Sequence, residues 1–301
     1  MKSTPVTLFV YNRPVHTLAT LDALKQCDGA ASTPLYIFSD GCKSDYDRHL
    51  VDEVRQICRN ASGFQQVELI ERNQNVGLAA NIIDGVSHVI QKHGQVIVLE
   101  DDLVVSPGFL IYMNHALEIY KNQNVFSVCG YTPPISVPED YSWSTYLTHR
   151  IGSWGWATWQ EMWQLADWDV KEFNAFITNK AARKRFNQSG NDLSMMLLKQ
   201  QQGLIRSWAV RYAFSGFQHG LPTVYPVRSL VTNCGADGSG THMKRSDKYQ
   251  SEVVDRIDIS KFCPVGTFNK NILLAFKKFY DTSLYRQMIN FLKMQSYLKQ
   301  K

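Results

Sequence analysis

Short apolar runs, rich in β-branched and aromatic residues, recur through the first 130 residues, and each ends in polar or turn-forming positions. Val6–Tyr11, Leu35–Ser39, Gln66–Glu71, Gln95–Leu99 and Val125–Cys129 read as strands. Helical spacings separate them. His16–Gln26 sets Leu18, Leu21 and Leu24 on one face, Tyr46–Arg59 sets Leu50, Val54 and Ile57, and Ala79–Lys92 sets Ile82, Ile83, Val86 and Ile90. Beyond Pro107, Phe109, Met113, Leu117 and Tyr120 repeat at the same period. Strands alternating with helices predict an α/β fold, with a mainly parallel central sheet flanked by helices on both faces. Such sheets bind ligands just past the carboxyl ends of their strands.

Those ends carry polar chemistry. They read Tyr11-Asn12-Arg13-Pro14, Ser39-Asp40-Gly41, Arg72-Asn73-Gln74-Asn75-Val76-Gly77 and Glu100-Asp101-Asp102. No GxGxxG follows the first strand and no GxxxxGK[ST] occurs, so neither a dinucleotide fingerprint nor a phosphate-binding P-loop is present. The apolar run Val96–Leu99 reads as a strand buried on both faces, and it leads straight into three acids. Like charges at the end of a buried strand need compensation. A divalent cation, Mn²⁺ or Mg²⁺, supplies it by sharing carboxylates with a substrate's phosphates. A solvated acidic turn before the next helix is the plainer alternative, and Asn12-Arg13-Pro14, Asp40-Gly41 and Gly77 also read as ordinary turn residues.

Over about Pro5 to His242 the chain resembles glycosyltransferases of the GT-A fold, close to family 2. The segment VLEDDLVVSPGFL resembles the acidic metal motif, in the EDD form of N-acetylglucosaminyltransferase I-like enzymes. NVGLAANI, FVYNRP and FSDG resemble the segments that approach the nucleotide. The resemblance implies that Tyr11, Asn12 and Arg13 line a nucleotide pocket and that Asp40 bonds uracil or another base. Gly77 would let the backbone approach the donor, with Leu78 and Asn81 nearby. Glu100 and Asp101 would face the ribose and donor sugar, and Asp102 would hold the metal on the diphosphate.

The middle third carries GSWGWATWQEMWQLADW, with Trp154, Trp156, Trp159, Trp163 and Trp168. Trp159 and Trp163, four apart, are expected to share a helix face in the core. Trp154, beside Gly155, is expected at a ligand, because aromatic faces pack on sugars and glycine permits close approach. An inverting transferase needs a base for the acceptor hydroxyl. Asp192, at the start of a helix, fits that role by resemblance and is equally expected to cap the helix. Asp167, Asp169 and Glu161 read as surface groups. The glycine-rich NCGADGSGTHMKRS suits a loop that orders over donor through Gly235, Gly238 and Gly240, with His242 as a second metal ligand and Lys244 and Arg245 near the diphosphate.

Composition narrows the picture. With 301 residues, 44% hydrophobic and 20% charged, the chain is globular and long enough to need no covalent staple. The six cysteines, Cys27, Cys42, Cys58, Cys129, Cys234 and Cys263, form no CxxC pair and read mainly as buried thiols of a reducing compartment. No apolar run approaches a membrane span, and Val6–Tyr11 is too short for a signal peptide, so a cytoplasmic setting is expected. Of the net charge of +5, the segment 265–301 contributes +6 and the rest −1. A nearly neutral body argues against a nucleic-acid partner. Residues 269–299 read as one or two basic amphipathic helices, which suit either the inner face of an anionic membrane or docking on protein.

The expected organisation is therefore a GT-A domain over 1–260, with a nucleotide-binding half (1–130) and an acceptor-binding half (131–260), followed by a basic helical tail (261–301). The implied activity is metal-dependent, inverting transfer from a nucleotide-sugar, a UDP-sugar foremost, to a glycan or lipid-linked glycan in surface polysaccharide synthesis. The competing readings are a sugar nucleotidyltransferase, which would want glycines after the first strand, and a non-catalytic carbohydrate- or nucleotide-binding protein on a transferase fold.

Overall fold

The structure, a computed structural model, describes residues 3–235 and 247–299. The first third is the alternation that the periodicities predict: β1 (Val6–Val10), α1 (Pro14–Lys25), β2 (Pro34–Ser39), α2 (Arg48–Arg59), β3 (Gln66–Glu71), α3 (Leu78–His93) and β4 (Gln95–Glu100). Then come β5 (Leu103–Val105), α4 (Phe109–Ile119), β6 (Ser127–Cys129), β7 (Thr145–Thr148), β8 (Trp156–Trp159) and α5 (Gln160–Gln164). The chain continues through α6 (Phe173–Thr178), α7 (Lys180–Phe186), α8 (Leu193–Gln201), α9 (Trp208–Gln218), β9 (Thr223–Pro226), β10 (Val231–Asn233), α10 (Lys270–Tyr280) and α11 (Leu284–Lys299).

Among the described residues, eight strands form one sheet in the order β3-β2-β1-β4-β8-β6-β9-β7. β3, β2, β1 and β4 are mutually parallel, with Val6 of β1 level with both Leu35 and Ile97. β8 runs antiparallel between β4 and β6, and β7 closes the far edge antiparallel to β9. The sheet is thus mixed but mainly parallel, and its parallel strands end on one common edge.

Alternate residues of β4 serve two cores, as a strand with period two must. Ile97 and Leu99 pack with Leu21 and Leu24 of α1, Val54 and Cys58 of α2, and Phe109, Met113 and Leu117 of α4. Val96 and Val98 pack with Ile82 and Val86 of α3, Leu197 of α8 and Tyr212 of α9. All four β4 residues are fully buried, in line with the apolar run.

Two expectations are corrected. Leu18 is 48% exposed, and Thr17 and Thr20 take the inner face of α1 instead. The Thr20 hydroxyl donates to the Asp101 carbonyl at 2.8 Å, a role leucine could not fill. Trp159 and Trp163 are both buried but share no helix face: Trp159 closes β8 and its indole N–H donates to the Leu117 carbonyl at 3.0 Å. Trp163 lies in α5 on the other side of the sheet and donates to the Ser87 hydroxyl at 2.9 Å.

The segment after residue 260 does not stand apart from the sheet. Ile272 and Phe276 of α10 are buried, and Phe276 packs edge-on to Tyr225 at 5.2 Å between ring centroids. Asn269 caps the helix by accepting from the amides of Asn271 and Ile272. Cys27, Cys58, Cys129 and Cys263 are buried thiols, as expected, and all six cysteines are free.

Candidate functional site at the strand ends

The buried β4 strand delivers Glu100, Asp101 and Asp102 to the carboxyl edge, directly beside the end of β1. Arg13, the residue before α1, spans two of the acids. Its Nη2 lies 3.0 Å from Asp101 Oδ1 and 2.6 Å from Asp102 Oδ2. The Tyr11 amide donates to Asp101 Oδ2 at 3.3 Å. One guanidinium does not neutralise three carboxylates. Burial, with the neighbouring acids, pushes Glu100 up to about 8; burial, opposed chiefly by Arg13, pushes Asp101 up to about 7. Asp102 is raised for the same reason as Asp101. Arg13 Nη1 is buried and has no hydrogen-bond acceptor among the described residues.

A second strand pair closes over this cluster. β10 pairs antiparallel with β5, with Asn233 level with Leu103, so the chain after β10 arrives at Asp102. The Cys234 amide donates to the Asp102 carbonyl at 2.9 Å. A Cβ on Gly235 would lie 2.2 Å from Asp102 Oδ2 and 2.8 Å from Arg13 Nη1. Glycine is thus required here by close approach of backbone to the charged groups. His242, Lys244 and Arg245, together with Gly238 and Gly240, lie outside the described residues.

The neighbouring strand end is built around Asp40. Its Oδ1 accepts from the amides of Gly41 and Val76 and its Oδ2 from that of Gly77, all at 2.9 Å. Both carboxylate oxygens therefore hold backbone, tying the end of β2 to the loop before α3. Gly77 has φ +79°, a conformation L side chains rarely adopt, and its amide faces Asp40. Asn81 is buried and accepts from Arg72 Nε at 2.6 Å, while Leu78 opens α3 partly exposed. From α2, Arg55 donates to the Arg72 carbonyl at 2.7 Å and to Ser39 Oγ at 3.2 Å. Tyr11 also reaches this side: its hydroxyl donates to Asp47 and accepts from the Lys43 amide at 3.0 Å. Burial and the Asp47 carboxylate raise the phenol to about 12, and the bond holds Asp47 below the usual carboxylate range. Asn12, between Tyr11 and Arg13, is half-buried.

Trp154 and Asp192 are held by other contacts. Gly155, at φ +60°, turns the chain so that Trp154 is half-buried against Tyr131, 4.5 Å away, and Tyr249, 5.6 Å away. Trp156 is core, stacked on Trp208 at 4.9 Å. Asp192 occupies the N-cap position of α8, yet its side chain makes no cap bond. Asn187 does that work, accepting from the Ser194 amide at 3.0 Å, because the Asp192 carboxylate is taken by Arg150. Arg150 Nη1 and Nη2 pair with Oδ1 and Oδ2 at 2.8 and 2.9 Å. Asp167 folds onto its own turn, accepting from the amides of Asp169, Val170 and Lys171. Among the described residues, no hydrogen bond or ion pair joins Asp192 to the Arg13–Asp102 cluster.

Sequence reasoning named Tyr11, Arg13, Asp101 and Asp102, and these do meet. It did not find Arg55, Asp47, Arg150 or Tyr249. Three of the four are charged residues whose partners are distant in sequence, and nothing local marks them as inward-facing.

The family model for glycosyl transferase family 2 matches residues 6–178, more than half of the chain. A mannosyltransferase from Pyrobaculum calidifontis, solved with GDP-Man and Mn²⁺, is similar at 14% identity, over 71% of this chain and 74% of that one, with a TM-score of 0.38. The galactosyltransferase LgtC, solved with donor and acceptor sugar analogues, is 9% identical over 91% of this chain and 93% of its own, with a TM-score of 0.37. A UDP-glucose pyrophosphorylase complexed with UDP-glucose is 9% identical over 74% and 90% of the two chains, with a TM-score of 0.36. No curated protein matches the sequence significantly. With the family model spanning the strand-end acids and seven of the eight strands of the main sheet, this chain belongs to glycosyl transferase family 2 and is a glycosyltransferase of the GT-A fold.

Proposed function

We propose that the protein moves a sugar from a nucleoside-diphosphate sugar, a UDP-sugar foremost, to a hydroxyl of a glycan or lipid-linked saccharide in surface polysaccharide synthesis, with inversion. The observation that carries this reading is Arg13. Its guanidinium is held between Asp101 and Asp102 at the strand ends, and its buried Nη1 has no acceptor among the described residues. A diphosphate oxygen is the acceptor such a nitrogen fits.

The donor set also fits a hard divalent cation, Mn²⁺ or Mg²⁺. Asp101 and Asp102 present carboxylate oxygens to the same guanidinium nitrogen, and burial, opposed by Arg13, raises their proton affinity, which a shared cation would offset. Asp102 would hold the ion, with His242 a second ligand. When bound, the ion offsets charge on the leaving diphosphate. The chain's own groups do the rest. Tyr11, Asn12 and the Asp40-stapled loop bearing Gly77, Leu78 and Asn81 would enclose the nucleotide, with Asp40 at its base. Glu100 and Asp101 would face the ribose and donor sugar. Trp154 would pack on a sugar ring. Asp192 would take the proton of the acceptor hydroxyl as its oxygen bonds the anomeric carbon and the bond to the diphosphate breaks.

Isothermal titration of UDP, GDP and CDP, each with and without Mn²⁺, tests this on wild type and Asp102→Ala. Metal-dependent binding of one nucleotide, lost in the variant, is expected. Absence of nucleotide binding to wild type would overturn the reading. Binding confined to a nucleoside triphosphate would move it to a nucleotidyltransferase.

A further inference from the structure

The tryptophan-rich segment does more than fill the core. Gln160, Trp163 and Gln164 stand at i, i+3 and i+4 on α5, and Ser87 and Gln91 stand at i and i+4 on α3, so each helix presents one face. Together with Trp168 these faces line an open cavity of about 220 Å³. It lies at the amino end of β4, where Gln95 is level with Trp159 and the Gln160 amide donates to the Gly94 carbonyl at 2.8 Å. Glu100 ends that strand, about 17 Å from Gln95 at the usual rise per residue. The cavity is therefore separate from the strand-end acids.

Its floor is fixed and its rim is unpaired. Trp163 is only 5% exposed, and its indole N–H donates to Ser87 Oγ at 2.9 Å, which in turn donates to the Ile83 carbonyl at 2.6 Å. Trp168 is half-buried, with its ring centre 4.8 Å from that of Trp163. Gln91 and Gln164 are exposed and Gln160 is half-buried. Their side-chain amides make no hydrogen bond among the described residues. Three groups that can each donate and accept thus stand around two indoles already locked in place.

The lining identifies the ligand's chemistry. No ionisable side chain lines the cavity, so a phosphate, a nucleotide or an anionic headgroup would meet no counter-charge there. A ligand with hydroxyls at its edge and an apolar C–H face satisfies amides and indoles together, and a neutral sugar ring has both. The volume falls below the roughly 300 Å³ at which pockets for larger small molecules begin, which suits a single ring.

We propose that the cavity between α3 and α5 binds one neutral sugar residue, through the Gln91, Gln160 and Gln164 amides over Trp163 and Trp168. Binding here stands independently of the transferase reading. Where that reading also holds, the site grips a glycan away from its reacting end.

The test is saturation-transfer NMR of the full chain with the methyl glycosides of glucose, galactose, mannose and N-acetylglucosamine, and with glucuronic acid as the charged counterpart. Binding of at least one neutral glycoside is expected, and weaker binding of the acid. Gln91→Ala/Gln164→Ala should weaken it at least about tenfold, since two hydrogen bonds are lost. The melting temperature of this variant should stay near wild type, because both side chains are exposed and unpaired. Trp154→Ala, at the other proposed sugar contact, should leave the binding within about twofold, as expected of a distant site. No binding of any neutral glycoside would overturn the proposal. So would tighter binding of the acid, or binding that survives in Gln91→Ala/Gln164→Ala, since this would assign the sugar elsewhere. A wild type that binds nucleotide and no glycoside loses this site and keeps the transferase reading; the converse result keeps this site alone.

Discussion

Arg150 forks onto Asp192 with two nitrogens, at 2.8 and 2.9 Å, and lies 3.9 Å from the centre of the Tyr280 ring. A carboxylate gripped in this way has one orientation and little freedom to seek another. Tyr280 belongs to α10, so a side chain beyond residue 260 helps to set the geometry of the proposed base.

Removing one partner should therefore be costly. Arg150→Met leaves Asp192 largely buried and unpaired, and is expected to destabilise the fold by about 3 kcal/mol in urea unfolding. Asp192→Asn leaves the Arg150 guanidinium uncompensated and is expected to cost a comparable amount, so transfer is compared on the folded variant, where it should fall at least about 100-fold if Asp192 accepts the proton. Equal activity in Asp192→Asn and wild type would remove it from the chemistry.

The acids predict how stability varies with pH. Asp101 and Glu100 are raised to about 7 and about 8, so the folded protein holds protons that the unfolded chain has released above its ordinary carboxylate range. Stability is then highest below that range and declines as pH rises through 5 to about 8. Melting curves without divalent cation should show that decline. Added Mn²⁺ should raise the melting temperature more at pH 8 than at pH 5, because ion and proton compete. A flat or rising trend without metal would contradict the burial of these groups.

Asp40→Asn replaces an acceptor of three amides with a group that must turn an N–H₂ toward at least one of them. A loss of about 1–3 kcal/mol is expected. Hydrogen exchange at the Val76 and Gly77 amides should accelerate well beyond that of the sheet. Unchanged exchange would show that the loop is held by other contacts.

Gly235→Ala would push a methyl against Asp102 and Arg13. Donor affinity is expected to fall at least about tenfold, equivalent to about 1.4 kcal/mol of binding energy. Titration of the nucleotide is the measurement, and wild-type affinity would show that Asp102 and Arg13 shift without consequence.

Phe276 is fully buried among Tyr146, Tyr225 and Tyr280. Phe276→Ala should cost about 3–5 kcal/mol in denaturant unfolding, as for other large core aromatics. A loss below about 1 kcal/mol would mean that α10 contributes little to the core.

The periodicities alone determined the α/β class, the five early strands and the helices between them. Alternation along a strand and the helical repeat are local properties that follow directly from which residues must leave water. The same pattern located the strand ends, and so Tyr11, Arg13, Asp101 and Asp102, because parallel strands end together. Tertiary structure decided what lies between distant segments. Arg150 and Asp192 are 42 residues apart and Asp102 and Cys234 are 132 apart; no local pattern encodes either contact. That Asp40 Oδ1 and Oδ2 accept from the Gly41, Val76 and Gly77 amides is likewise legible only in the folded loop. The tail shows the division most plainly. Its sequence mixes apolar and basic residues along both helices, and only packing decided that Phe276 turns inward to Tyr225 while Phe291 faces solvent.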